Sequence, residues 1–184
     1  MPGNSSPLLR PNSLPDRSPG RPGRPSLILG FDLGLQRTGY GALRLGPGGP
    51  RVYEVGVLST RGSDLGSRLH QLYAEVDSLV RELRPTLVVL EDLFAHRRFP
   101  RTAIVLGHVR GIICLAAASS RIGVVALAPS AVKRAVTGSG AASKAQVQAS
   151  MRSLLGLRAL ADPHAADALA LAYAGVARIG SLRG

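Results

Sequence analysis

The stretch LILGFDLGLQRTGY, residues 27–40, decides how the rest of the chain is read. Leu27, Ile28, Leu29 and Gly30 lead into Phe31 and Asp32, and glycines follow at Gly34 and Gly39. A short continuous apolar run is the pattern of a buried strand, and this one delivers a carboxylate to the strand's end. A carboxylate among apolar neighbours is costly to ionise unless a metal ion, a cation or a ring of donors compensates. Gly34 permits a tight turn, or lets a phosphate come close to the backbone. The plainer reading makes Asp32 the cap of an ordinary turn.

Outward from this stretch, the pattern first stays strand-like. Residues 39–45 read as a second strand, GPGGP at 46–50 as a turn, and residues 52–58 as a third strand. Links this short favour an antiparallel meander. From Asp64 the period changes. Leu65, Leu69, Leu72, Val76, Leu79 and Leu83 step by four and three, which predicts an amphipathic helix capped by Asp64 and ended by Pro85. Glu75, Asp77 and Glu82 lie off that stripe and are expected in solvent. TLVVL at 86–90 is a second buried strand, with Glu91 and Asp92 at its end. Residues 102–119 predict a helix that is apolar nearly all round, with Gly107 and Gly111 leaving one face flat. A strand at 124–128 follows, then helices at 130–137, 143–155 and 163–178, with a GSGAA loop at 138–142. The sum is an α/β domain over residues 26–180. Its mixed five-stranded sheet is a three-strand meander followed by strand–helix units, with helices on both faces. Residues 1–25 hold seven of the thirteen prolines and Arg10, Arg17, Arg21 and Arg24, the composition of a basic disordered tail. Residues 181–184 are a short C-terminal tail.

The net charge of +12 and the pI near 11.4 point to a polyanionic partner. Nucleic acid is favoured over a membrane surface, because no basic amphipathic helix is present. Of the 23 basic residues only Lys133 and Lys144 are lysines, and both fall within twelve positions. In a chain biased toward Arg, a retained lysine suggests a need for a compact ammonium. Cys114 stands alone, so no intramolecular disulfide forms and a reducing compartment fits. No apolar signal-peptide core is seen near the N-terminus, and His108 and Arg110 interrupt the best membrane-spanning candidate, so a cytoplasmic location is expected.

The acids then fall into a pattern. The last predicted helix begins DPHAAD, where Asp162 suits the N-cap and Pro163 the first helical position. His164 and Asp167, three apart, share one face. If the first and fourth strands are parallel neighbours, Asp32 and Glu91 meet at one sheet edge. Carboxylates that close raise each other's pKa, and divalent cations relieve the repulsion. Hard oxygen donors suit magnesium or manganese, and two such ions serve phosphodiester hydrolysis.

At this point the chain resembles the RuvC family of Holliday-junction resolvases, in the ribonuclease H-like fold. The resemblance runs from about residue 26 to 179 and rests on ILGFDLGLQRTGYG, LVVLEDLF, LGHVRG, VKRAVTGSGAASKAQVQ and HAADALALA, in the family's order. It implies a metal-dependent endodeoxyribonuclease that resolves four-way DNA junctions by paired nicks. Asp32, Glu91, His164 and Asp167 fall on the metal positions, and Lys133 and Lys144 on basic residues near the scissile phosphate. Phe94 falls on the aromatic that wedges against bases. Arg97, Arg98 and Arg101, in HRRFPR, are expected on the DNA backbone. The helix at 102–119 falls on a homodimer interface, and a branch-migration motor is the implied partner. The chain departs from the pattern at Leu33, where Pro is common, at Asp92, where Gln is common, and at His164, where an acid is common. His164 tilts the expected cofactor, two ions per site by resemblance, from Mg2+ toward Mn2+. Competing readings are a YqgF-like nuclease of the same fold acting on RNA, and a junction-binding protein with weak catalysis. An actin-like or sugar-kinase phosphate loop is the reading from another class, and it needs a second domain.

Overall fold

The computed structural model describes residues 26–92, 100–158 and 162–180. The chain runs β1 (Leu27–Asp32), β2 (Arg37–Gly46), β3 (Gly49–Ser59), α1 (Leu65–Leu83), β4 (Leu87–Glu91), α2 (Pro100–Ser119), β5 (Gly123–Leu127), α3 (Pro129–Thr137), α4 (Lys144–Leu155) and α5 (Pro163–Gly180). The sheet order is β3-β2-β1-β4-β5. β1, β2 and β3 form the expected antiparallel meander, and β4 and β5 are added in parallel. The strand quoted at the outset is therefore the centre of the sheet.

Period-two alternation in β1 divides the core. Leu27, Leu29 and Phe31 face one layer, with Leu72 and Val76 of α1 and Val109 and Ile113 of α2. Ile28 faces the other, with Val132 and Val136 of α3, Met151 of α4 and Leu169 and Ala172 of α5. A strand apolar on both faces needs cover on both sides, which is why helices flank the sheet. α5 lies almost on the backbone of β1 and β2. A Cβ at Gly30 would stand 2.2 Å from the carbonyl oxygen of Ala168, and one at Gly39 would stand 2.1 Å from that of His164. These glycines bring the start of α5 down onto the end of the central strand.

α1 carries the predicted cap, with the Ser67 amide donating to Asp64 Oδ1 at 2.9 Å. Its face differs from the expected stripe in two places. Leu65, in the first turn, is 40% exposed, because the helix reaches the core only from its second turn onward. Asp77 is half-buried rather than solvated, and it pairs with Arg81 at 2.8 Å. Residues Arg101–Ser119 of α2 are long and apolar enough to cross a membrane by length and composition. Val109, Ile113, Ala116 and Ala117 of this helix are fully buried in the core, while Ile104 and Leu115 are exposed. The helix thus packs one face on its own domain and offers another.

Candidate active site

The parallel register of β1 and β4 pairs Phe31 with Leu90, so Asp32 and Glu91 stand side by side one residue later. Both carboxylates line a cavity of about 320 Å³, and Asp167 joins them from the second turn of α5. Lys133 of α3 and Lys144, the first residue of α4, line the same cavity. Five expected site residues, spread over 135 positions of sequence, meet in one place.

The electrostatics of the cavity are closely coupled. Burial pushes the Asp32 carboxyl above the ordinary aspartate range, and the charge of Asp167 pushes it further. A hydrogen bond with His164 and the charge of Lys144 oppose that rise. Lys144 Nζ donates to Asp167 Oδ2 at 2.7 Å. This hydrogen bond raises the lysine's pKa despite partial desolvation, and the charges of Asp167, Asp32 and Glu91 add to it. The ammonium is the cation these carboxylates hold in this structure. Among the described residues no three His, Cys, Asp or Glu side chains converge closely enough to hold an ion. Chemically the donor set still fits a divalent cation: three hard oxygen donors from three elements open on one cavity, and one of them is neutralised by a movable side chain.

His164 meets the same cluster from one side. Its Nδ1 lies 2.6 Å from Asp32 Oδ2, but the residue lines a neighbouring cavity of about 530 Å³ with Gln36, Arg37, Arg101 and Thr102. His164 therefore touches the carboxylate cluster from its rim. The reason is local: two residues past the Asp162 N-cap, it points along the helix's entry toward the β1–β2 turn. Arg101 is exposed on the second cavity, while Phe94, Arg97 and Arg98 lie outside the described residues. Gly34 serves the turn itself. A Cβ there would stand 2.2 Å from the Arg37 carbonyl oxygen, and the Gly34 carbonyl accepts the Thr38 hydroxyl at 2.5 Å.

Several supports were not visible in the sequence. Asp162 caps α5 as expected, accepting the His164 amide at 2.9 Å and the Ala165 amide at 3.4 Å. Its second oxygen is held by Arg37, at the start of β2. Asp32, His164, Asp162 and Arg37 thus link the sheet end to the helix start. Arg110 of α2 donates to the Glu91 backbone carbonyl at 3.0 Å and fixes the end of β4. Neither arginine carries a local signal, since each finds its partner only through the fold.

Known proteins resemble this chain in sequence and fold. A family model described as crossover junction endodeoxyribonuclease RuvC matches residues 28–174. The chain belongs to the RuvC family. Among RuvC proteins, that of Rhodopirellula baltica is 42% identical over 159 residues, covering 84% of this chain and 88% of its own. That of Syntrophomonas wolfei is 40% identical over 147 residues, covering 79% and 85%. Thermus thermophilus RuvC, solved in complex with Holliday junction substrate, superposes with a TM-score of 0.78 at 30% identity, covering 85% of this chain and 97% of that one. The yeast mitochondrial Holliday junction resolvase shares the fold, with a TM-score of 0.64 at 14% identity.

Proposed function

We infer that this chain is a crossover junction endodeoxyribonuclease, cutting four-way DNA junctions by metal-dependent hydrolysis of phosphodiesters. The observation that carries the reading is one cavity lined by Asp32, Glu91 and Asp167 together with the chain's two lysines. Membership of the RuvC family supplies the substrate class.

In this reading Asp32, Glu91 and Asp167 hold divalent cations, two per site, with His164 at the rim. Bound there, the cations supply Lewis acidity and an activated water. The chain's own residues do the rest. Lys144 leaves Asp167 when the carboxylate ligates, and its freed ammonium meets the scissile phosphate beside Lys133. Arg110 and the Arg37–Asp162 pair keep the carboxylates aimed. His164 holds Asp32 in one rotamer. Phe94 wedges between bases, and Arg97, Arg98 and Arg101 hold the backbone. A homodimer through α2 supplies two sites for two nicks. The exposed Ile104 and Leu115, and the open space over Gly107 and Gly111, support α2 as that interface. A branch-migration motor is the partner in this scheme.

The test is incubation with a synthetic four-way junction in Mg2+ or Mn2+. Paired symmetric nicks in the junction, and none in its linear arms, are expected. Binding without nicking in either metal overturns the enzymatic reading, and preferential cutting of RNA favours the YqgF-like one.

A further inference from the structure

The opposite end of the sheet carries a second charged surface. Arg44 of β2 and Arg51 of β3 are direct cross-strand partners, so their side chains share one face. Like charges so placed repel and destabilise a sheet. The Arg44 guanidinium lies 3.8 Å above the centre of the Tyr53 ring, which is itself 47% exposed. Tyr53 comes forward because the β2–β3 register shifts beside it, between Ala42 and Leu43. The end of α1 closes the other side with Arg81, Glu82 and Arg84, and these residues enclose an open groove of about 500 Å³.

Little in the fold neutralises this groove. Arg81 is paired with Asp77. Arg44, Arg51 and Arg84 form no ion pair among the described residues, and Glu82 is the one acid of the groove lining. The helix C-terminus explains Arg84 in part, since its Nε donates to the Arg81 carbonyl at 3.4 Å. It does not explain the Arg44–Arg51 pair, which sits on strands. Arg bias explains how many arginines the chain has, but not why the unpaired Arg44 and Arg84 line one groove with an exposed tyrosine, while Arg51 stands across the strand from Arg44.

We propose that this groove is a second DNA-contacting surface, which takes the phosphate backbone of duplex DNA independently of sequence. It lies at the start of β1, whereas the carboxylates lie at its end, about 17 Å away at roughly 3.3 Å per strand residue. The planar guanidiniums suit phosphate oxygens, and Arg44 is already held in place by Tyr53. The surface raises the local concentration of DNA around the enzyme and leaves the chemistry alone.

The triple variant Arg44→Gln, Arg51→Gln, Arg84→Gln tests this against wild type, with anisotropy of a labelled linear duplex measured over a salt series. Each lost phosphate contact removes about 0.9 from the slope of log affinity against log salt, so the slope falls by about 2 to 3. Duplex affinity at low salt falls by at least about tenfold on the same basis. Cleavage of a short-armed junction at saturating enzyme stays at the wild-type rate. Glu82→Gln moves duplex affinity the other way, which keeps the test decisive if the triple variant folds poorly. Wild type saturated with unlabelled short-armed junction in EDTA still holds labelled duplex. An unchanged slope in the triple variant, or complete displacement of the duplex by junction, overturns the proposal. Neither result bears on whether the cavity at the other end cuts.

Discussion

The two ends of β1 share one backbone and the same two neighbouring strands, yet they carry opposite chemistry. At the C-terminal end Asp32, Glu91 and Asp167 gather around one cavity. At the N-terminal end Arg44, Arg81 and Arg84 gather around another. Topology explains the first. β1 and β4 are parallel, so both strands release their final residue at the same edge, and α5 starts there too. Acids spread over the sequence become neighbours without any of them being adjacent in the chain. The arginine end has a mixed origin: one contribution comes from a helix C-terminus, where cations are favoured, and the other from a hairpin, where nothing local favours them. An acidic cluster in a chain of net charge +12 is the exception that a metal explains, and an uncompensated arginine pair is the exception that a polyanion explains.

The sharpest way to break this contrast is to neutralise the acidic end. Asp32→Asn, Glu91→Gln and Asp167→Asn are each expected to slow junction cleavage by about a thousandfold or more, the upper scale for losing one charge-stabilising group. Junction affinity should change little, because it rests on basic contacts. Gel assays of cutting and binding on the same junction separate the two, and near-normal cutting by any variant removes that residue from the site. Asp32→Asn carries a second expectation. Its folded-state pKa lies above the ordinary aspartate value, so the ionised form opposes folding once the pH exceeds both. The neutral variant should therefore melt higher than wild type at pH 7 without metal, and added Mg2+ should narrow the gap by stabilising wild type alone.

Lys144 comes next in size. Because its ammonium stands on Asp167, Lys144→Ala both frees a carboxylate and removes a phosphate contact. A loss of about ten- to a hundredfold in single-turnover rate is expected, on the scale of one charge-assisted hydrogen bond. An Arg-to-Ala change at Arg17 or Arg21 in the tail should leave that rate unchanged. Equal effects would make the lysine an ordinary backbone contact and erase the difference between the cavity and the basic surfaces.

How far the sequence alone reaches differs between these parts. β1, β4 and the start of α5 are legible because each pairs a strong apolar pattern with a carboxylate at its boundary. Asp162 is legible as a cap because Pro163 follows it. The expectation for α1 fails at Asp77, where helical spacing cannot show that a neighbouring turn will supply Arg81. The contact of His164 with Asp32 depends on the path of α5 over Gly39, which no spacing in the sequence shows. The Arg37–Asp162 and Arg110–Glu91 contacts span distances that no periodicity encodes. The Arg44–Arg51 pairing follows from Gly46 standing opposite Gly49 across the hairpin, a register that reading residues 46–50 as one undivided turn does not specify.

The Arg37–Asp162 link should give a smaller effect. Arg37→Gln and Asp162→Asn each remove the ion pair, while Asn keeps the N-cap. Both ends are partly exposed, so solvent screens the pair and it contributes little to stability. Each variant should cut several-fold more slowly with junction affinity intact, and the double variant should be no worse than either single one. Additive losses, or a weakened junction complex in Arg37→Gln alone, would mean that Arg37 contacts DNA instead of positioning α5.

The smallest expected effect concerns His164 and the choice of metal. An imidazole brings no negative charge and is a softer donor than a carboxylate, so it suits manganese better than magnesium. Here its Nδ1 is engaged with Asp32 at 2.6 Å, so that nitrogen cannot ligate a cation while the contact persists. In the proposed reading His164 acts on the metal indirectly, because its hydrogen bond favours the ionised form of a carboxylate that burial makes reluctant to ionise. His164→Asp replaces this donor with a fourth hard oxygen and adds a charge beside Asp32. Both changes favour magnesium, so the ratio of Mg2+-supported to Mn2+-supported cleavage should rise by about two- to tenfold, a shift of about 1 kcal/mol. His164→Asn offers an amide hydrogen bond to Asp32 without the charge, and it should leave the ratio near wild type while lowering both rates. Titrating each metal against one junction for the three proteins reads this directly. A ratio that does not move in His164→Asp would show that metal choice is set by Asp32, Glu91 and Asp167 alone, and that His164 serves only to hold Asp32.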